Sequence, residues 1–188
     1  MKPEFDGQYF ENLYAEHADP WNYADSPYEA QKYAATIGVL PRATYRRGLE
    51  LGCSIGVLTA RLARLCDALT AVDISERALT IAMQRCADSR VTFVHAHLPD
   101  GEWNAPFDLL VLSEILYYLE PDAIDRLASR LTHQADRGAD VVLAHWTGET
   151  NYPMTADAAV ERLRSSMPVS VLEEVRHPEY RLDLWRFH

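Results

Sequence analysis

Two periodicities alternate along this chain. From about residue 46, short apolar runs are separated by stretches in which apolar residues recur every three or four positions. Arg46–Leu51 (RRGLEL), Ala68–Asp73, Val91–His95, Phe107–Leu112 (FDLLVL) and Ala139–His145 have the length and content of strands, the fourth apolar enough to be buried on both faces. Between them the period becomes helical. Ile55–Leu65 carries Leu58, Leu62 and Leu65 on one face. Ser75 caps a segment with Leu79, Ala82, Met83 and Cys86 at i, i+3, i+4 and i+7. Pro121 and Asp122 open a helix with Ile124, Leu127, Ala128 and Leu131, and Gly138 closes that unit. Thr155–Ser166 reads as a further helix, and Val169–Val175 with Tyr180–Phe187 as a closing antiparallel pair. Before this alternation lies a head, residues 1–45, rich in aromatics: Phe5, Tyr9, Phe10, Tyr14, Trp21, Tyr23, Tyr28 and Tyr33. Ser26-Pro27 starts a helix in it that Pro41 has stopped by about Val39.

Alternating strands and helices with apolar strands predict a mostly parallel, doubly wound α/β sheet of about seven strands, ending in the antiparallel pair. At 188 residues, 48% of them hydrophobic, the expectation is one domain spanning 1–188, with the head as a lid on a core of 46–188. The formal net charge of −10 argues against nucleic acid and against anionic membranes as partners. The stretch MKPEFDGQYF lacks a signal-peptide layout, no apolar run reaches membrane-spanning length, and the three cysteines show no CxxC spacing. The expectation is therefore a cytoplasmic protein without disulfides.

In a doubly wound sheet, ligands bind beyond the carboxyl ends of the strands near the switch in strand order. Glu50-Leu51-Gly52-Cys53-Ser54-Ile55-Gly56 follows the first strand and holds two of only eight glycines, which allow a sharp turn and close ligand approach. Two ligand classes use such a loop. A dinucleotide site wants GxGxxG, whose second glycine admits the pyrophosphate; here Ser54 stands at that position. S-adenosylmethionine (SAM) has no pyrophosphate but needs an acid for its cationic amino group, and Glu50 is placed for that. Asp73, ending the second strand, can accept hydrogen bonds from ribose hydroxyls in either case.

The LELGCSIG loop, AVDIS and FDLLVLSEILYYL resemble the class I SAM-dependent methyltransferases, a Rossmann-like family. With Asp19-Pro20-Trp21 and Ser26-Pro27-Tyr28-Glu29, the chain is most similar to the NodS-like nodulation N-methyltransferases, from Asp19 to Trp146. The resemblance implies that Gly52, Cys53, Ser54 and Gly56 wrap the methionine moiety, that Asp73 holds the ribose and that Ile74 packs on adenine. Ser113, Glu114 and Ile115 would flank the transferring methyl, while Trp21 and Tyr28 close over the cofactor. Two departures stand out: Ser54 replaces the middle glycine of GxGxG, and His97 replaces the acid common after the third strand, which leaves adenine to His97 or the Leu98 backbone. The implied activity is methylation, on nitrogen, of an amino sugar or deacetylated chitooligosaccharide-like molecule, with S-adenosylhomocysteine (SAH) as co-product.

Methylating an amine requires its lone pair in line with the methyl and its proton removed, so a nearby acceptor is useful. Glu114, Tyr117 and His145 are the candidates, all at the ends of the fourth and fifth strands. Tyr117 and Tyr118 read equally well as packing residues, and Cys53 as a small residue in a tight loop. His95 and His97 make no metal site by themselves, and no metal is expected. From Val91 to Asp125 there is no Lys or Arg but seven acids (Asp100, Glu102, Asp108, Glu114, Glu120, Asp122 and Asp125), read either as a negative rim over the site or as a solvated face. Acceptor specificity is expected from the head and from residues 147–167, in a monomer or homodimer. The competing readings are an O-methyltransferase on a small molecule, a nicotinamide-dependent oxidoreductase and a catalytically silent SAM-binding protein.

Overall fold

The computed structural model describes residues 5–188, so the head is seen from Phe5 onward. Seven strands form one sheet: β1 (Tyr45–Leu51), β2 (Cys66–Asp73), β3 (Val91–His95), β4 (Phe107–Ser113), β5 (Ala135–Trp146), β6 (Val169–Arg176) and β7 (Tyr180–Phe187). Their spatial order is β3-β2-β1-β4-β5-β7-β6. The first five run parallel, and β7 inserts antiparallel between β5 and β6. Helices α1 (Gly7–Glu16), α2 (Pro27–Gly38), α3 (Thr59–Leu62), α4 (Glu76–Arg85), α5 (Pro121–Gln134) and α6 (Ala156–Ser165) accompany it. The strand order reverses between β1 and β4, so the ligand crevice of the fold lies where Gly52 and Ser113 leave the sheet. No helix among the described residues is long and apolar enough to cross a membrane.

The apolar strands pack as their composition demands. Leu49, Leu51, Leu110, Leu112, Val141 and Leu143 join Leu127 and Leu131 of α5 and Leu163 of α6 in one core cluster. Leu109, Val111 and Val142 face the other side. Ser26 and Ser75 cap α2 and α4 by accepting from the backbone N–H groups of Glu29 and Ala78, as the sequence predicts.

Three elements differ from the sequence-based expectation. The head contains a further helix, α1, capped by Asp6 and burying Phe10 and Tyr14. The helix expected over Ile55–Leu65 shrinks to α3, because Gly56 at φ +78° takes a left-handed conformation no helix interior accepts. A Cβ on Gly56 would lie 2.9 Å from the Ala82 backbone, so this glycine lets the loop press against α4. Gly138, at φ +74°, does not end a helix: α5 stops at Gln134 and β5 has already begun at Ala135, with an irregularity in its register against Phe107–Leu109.

Candidate functional site

The loop after β1 is built from backbone geometry first. Gly52 (φ +80°) and Ser54 (φ 50°) both lie in the left-handed region, and the N–H groups of Gly52 and Cys53 donate to the Val72 carbonyl at 2.8 and 3.0 Å. Asp73, at the end of β2, straddles the crevice. One carboxylate oxygen accepts from the Ser54 N–H at 2.7 Å and the other from the Ser75 N–H at 3.0 Å. It therefore ties the loop to the start of α4 while keeping lone pairs for a ligand.

Two compartments share Phe10, Gly52, Asp73, Ile74, Ile115 and Tyr118 as walls. The inner one, about 60 Å³, is bounded by Glu50, Cys53, Ser54, Ser113 and Glu114 from the core and by Tyr14, Trp21, Tyr23 and Tyr33 from the head. The outer one, about 410 Å³, opens between Ile74, Ala96, His97, Leu98 and Leu119. The head closes the inner compartment by packing and by a hydrogen bond of 2.5 Å between the Tyr14 and Ser54 hydroxyls. Asp19 organises the Asp-Pro-Trp turn by accepting from the N–H groups of Tyr23 and Ala24, both at 2.8 Å, and Trp21 stacks on Tyr23 at 5.5 Å.

The inner compartment is strongly acidic. Glu50, Asp73 and Glu114 line it, and no Lys, Arg or His among the described residues does. Glu50 is 2% exposed, and its Oε2 is buried without a partner. Burial, with the charge of Asp73 adding, pushes its carboxyl up to about 8. Burial also raises Asp73, against the pull of its backbone donors, and raises the Cys53 thiol well above the ordinary range, which suits a packing residue and not a nucleophile.

Glu114, just past β4, takes a left-handed φ of 55° and turns its carboxylate inward. Lys32 donates to Oε1 at 2.5 Å, and the Tyr117 hydroxyl and the Trp146 N–H donate to Oε2 at 2.5 and 2.9 Å.

Of the three acid–base candidates, Glu114 alone reaches the chamber. Tyr117 stands behind it as a donor, stacked on Tyr152 at 4.9 Å, and burial raises its phenol. His145 is fully buried; its Nε2 accepts from the Leu116 N–H at 3.2 Å, and desolvation lowers it to about 4. It is a neutral support for the turn that follows Ile115.

Trp21, Glu50, Gly52, Cys53, Ser54, Asp73, Ile74, Ser113, Glu114 and Ile115 thus come together on the inner compartment, and His97 and Leu98 on the outer. Gly56 and Tyr28 line neither. Gly56 faces α4, and Tyr28 packs edge-on to Tyr180 at 6.0 Å. The sequence offers Phe10, Tyr14, Tyr23 and Tyr33 only as part of the aromatic head and does not offer Lys32 at all. An apolar spacing of Phe10, Leu13 and Tyr14 behind the Asp6 cap signals the first two; Lys32 carries no such signal.

The acidic run is largely compensated. Asp108 sits at the opposite end of β4, accepting from the backbone of Arg46 and Arg47 at 3.1 and 2.8 Å. Asp100 and Asp122 pair with Arg126, and Asp125 with Arg162. Of the seven, Glu114 lines the inner chamber and Glu120 the outer compartment, while Glu102 is exposed. His95 and His97 do not converge either: Nε2 of His95 contacts the Ile74 carbonyl at 2.8 Å, and no metal-type cluster of three or more His, Cys, Asp or Glu occurs among the described residues.

A family model described as nodulation protein S (NodS) matches residues 10–134. The chain is 32% identical over 112 residues to nodulation protein S of Sinorhizobium fredii, covering 58% of this chain and 52% of that protein. It is 36% identical over 112 residues to an uncharacterised methyltransferase of Mycobacterium tuberculosis, covering 57% of each. The chain thus spans about half the length of the curated relatives it matches. The crystal structure of N-methyltransferase NodS from Bradyrhizobium japonicum, in complex with SAH, superimposes with a TM-score of 0.85 at 22% identity, over 97% of this chain and 98% of that one.

Proposed function

The chain belongs to the nodulation protein S family, and on that footing we propose that it is a SAM-dependent methyltransferase acting on the nitrogen of an amino sugar or deacetylated chitooligosaccharide-like molecule. The observation that carries the proposal is the buried Glu50, whose Oε2 has no partner, in a chamber lined by three carboxylates and no basic side chain. Such a chamber favours a ligand that brings cationic centres to it, as SAM does with its ammonium and sulfonium. A dinucleotide would bring anionic phosphates to the same loop, where Ser54 and the acids oppose them.

The residues divide the work by chemistry. Glu50 Oε2 meets the ammonium of the methionine moiety. Asp73 accepts from the ribose hydroxyls through the lone pairs its backbone donors leave free. Ile74 and Leu98 make the apolar slot for adenine, with His97 at its edge. When bound, SAM supplies a methyl group activated by the sulfonium charge. The protein holds the acceptor lone pair in line and excludes water, a task the aromatic head serves as a lid. The Tyr14–Ser54 hydrogen bond holds the head against the loop that would carry the methionine moiety, so the head is placed to cover it. Glu114 has one acceptor position left and can receive an N–H of the amine. The acceptor side falls to the head and residues 147–167, from which Tyr152 reaches Tyr117 and Tyr118. The N-acceptor is supported by the NodS relatives, among them an N-methyltransferase whose crystal structure holds SAH.

Calorimetric titration with SAM, SAH and NAD tests the cofactor. Binding of the first two and none of NAD is expected, and the reverse pattern overturns the reading. Incubation with SAM and deacetylated chitin fragments, followed by mass measurement, tests the acceptor. A gain of one methyl on a free amine is expected, whereas SAH formation with no modified amino sugar restricts the proposal to some other acceptor.

A further inference from the structure

The buried face of α2 is polar. Glu29, Lys32, Tyr33 and Thr36 recur at i, i+3, i+4 and i+7 and are all buried, Lys32 at 1% exposure. A lysine so removed from water persists only where opposite charge compensates it, and two carboxylates do so. Glu29 Oε1 lies 2.9 Å from its Nζ along the same helix, and Glu114 Oε1 lies 2.5 Å away across the crevice. Thr36 donates to the Lys32 carbonyl at 2.8 Å, and the ammonium lies 5.1 Å from the centre of the Tyr28 ring. At the receiving end Glu114 occupies a backbone conformation that non-glycine residues rarely adopt, which persists when the surroundings hold it in place.

Resting on the methyltransferase reading, we propose that Lys32 is a positioning residue. Anchored by Glu29, it pins the Glu114 carboxylate against the chamber wall so that this group faces the sulfonium and the incoming acceptor. Helix α2 thereby buttresses, from behind, a site whose charged walls come from β1, β2 and the turn after β4. Lys32 touches neither cofactor nor acceptor.

SAM and SAH are the probes, because they differ by the methyl group and the sulfonium charge. Their affinities are measured by calorimetry for the wild type and for K32M, K32R, E29Q, E114Q and K32M/E114Q. The wild type prefers SAM. E114Q and K32M each reduce the SAM-over-SAH preference by about fivefold or more with smaller effect on SAH, the double variant falls no further than E114Q, and K32R restores the preference. E29Q gives a smaller drop of the same kind and carries the test if K32M does not fold. Equal loss of both ligands in K32M, or an unchanged preference in folded K32M or E29Q, overturns the proposal and leaves Lys32 a packing residue. A wild type that binds neither probe overturns the methyltransferase reading itself, and this inference with it.

Discussion

Glu50 shows how one buried carboxyl links stability to ligand binding. An unfolded glutamate titrates near about 4.3, whereas the folded protein holds Glu50 at about 8. Between those values the native state binds more protons than the unfolded state, so the Glu50 contribution is complete at low pH and is lost as pH rises toward 8. Asp73, also raised by burial, acts in the same direction. His145 acts in the opposite sense: lowered to about 4, it makes stability rise as pH climbs from there to its ordinary range. Above about pH 6.5 the His145 effect is finished and the Glu50 decline remains. Urea unfolding of the ligand-free protein should show stability falling from there toward pH 8, by up to about 1.4 kcal/mol per pH unit, and Glu50→Gln should flatten that slope. A cation bound beside Glu50 expels its proton. Calorimetry at pH 7 in buffers of different ionisation enthalpy should therefore detect proton release on SAM binding, and none in Glu50→Gln.

Asp73 carries a second lesson at this scale. Its position at the end of β2 suggests a ribose ligand, but its two hydrogen bonds to the Ser54 and Ser75 N–H groups show that it also ties the binding loop to α4. In Asp73→Asn a side-chain NH₂ replaces one acceptor, so one backbone donor faces another donor. The expected cost is about 1–3 kcal/mol of stability without any ligand present, measured by urea unfolding. Unchanged stability would restrict Asp73 to ligand contact.

At the scale of elements, the helices that the apolar periodicity predicts are those that pack on the sheet through apolar stripes, α4, α5 and α6. Two elements depart from this. The inward face of α2 is a polar stripe, which an apolar-period reading takes for a solvated face although its start is legible from Ser26-Pro27. In α3, three leucines at helical spacing suggest a full helix, but Gly56 must turn left-handed to bring the loop onto Ala82. Gly56→Ala should destabilise the fold by about 1–3 kcal/mol through strain at φ +78° and the close approach to α4. The same variant should weaken SAH binding, because the loop must shift away from α4; thermal unfolding with and without SAH separates the two effects.

Across the whole molecule, the acidic excess lies mainly on exposed residues such as Glu16, Asp67, Glu102, Glu149 and Glu179, while buried ion pairs serve the packing of the sheet. The largest of the structural networks surrounds Arg181 on β7, which is fully buried. It binds Asp183 at 2.8 and 2.7 Å and Asp157 of α6 at 2.7 Å, joining the antiparallel end of the sheet to the last helix. Arg181→Met leaves Asp183 buried and unpaired and should cost about 3–5 kcal/mol, read as a lowered urea midpoint with SAH affinity per folded molecule unchanged.

The sequence by itself determined the order and type of the sheet's elements, because periodicity and strand hydrophobicity are local consequences of which faces are buried. It also determined the glycine loop and the carboxylates at the ends of β1, β2 and β4, because the carboxyl ends of parallel strands necessarily meet at the switch point. The tertiary structure decided what each side chain faces once there. It turned Tyr117 and His145 behind Glu114, moved Tyr28 out of the crevice, gave Gly56 to helix packing and brought Lys32 to Glu114. Those outcomes depend on contacts between residues far apart in the chain, Lys32 and Glu114 at 82 positions and Tyr28 and Tyr180 further still, and the energy of such a contact is set by burial and partner geometry, which no local pattern encodes.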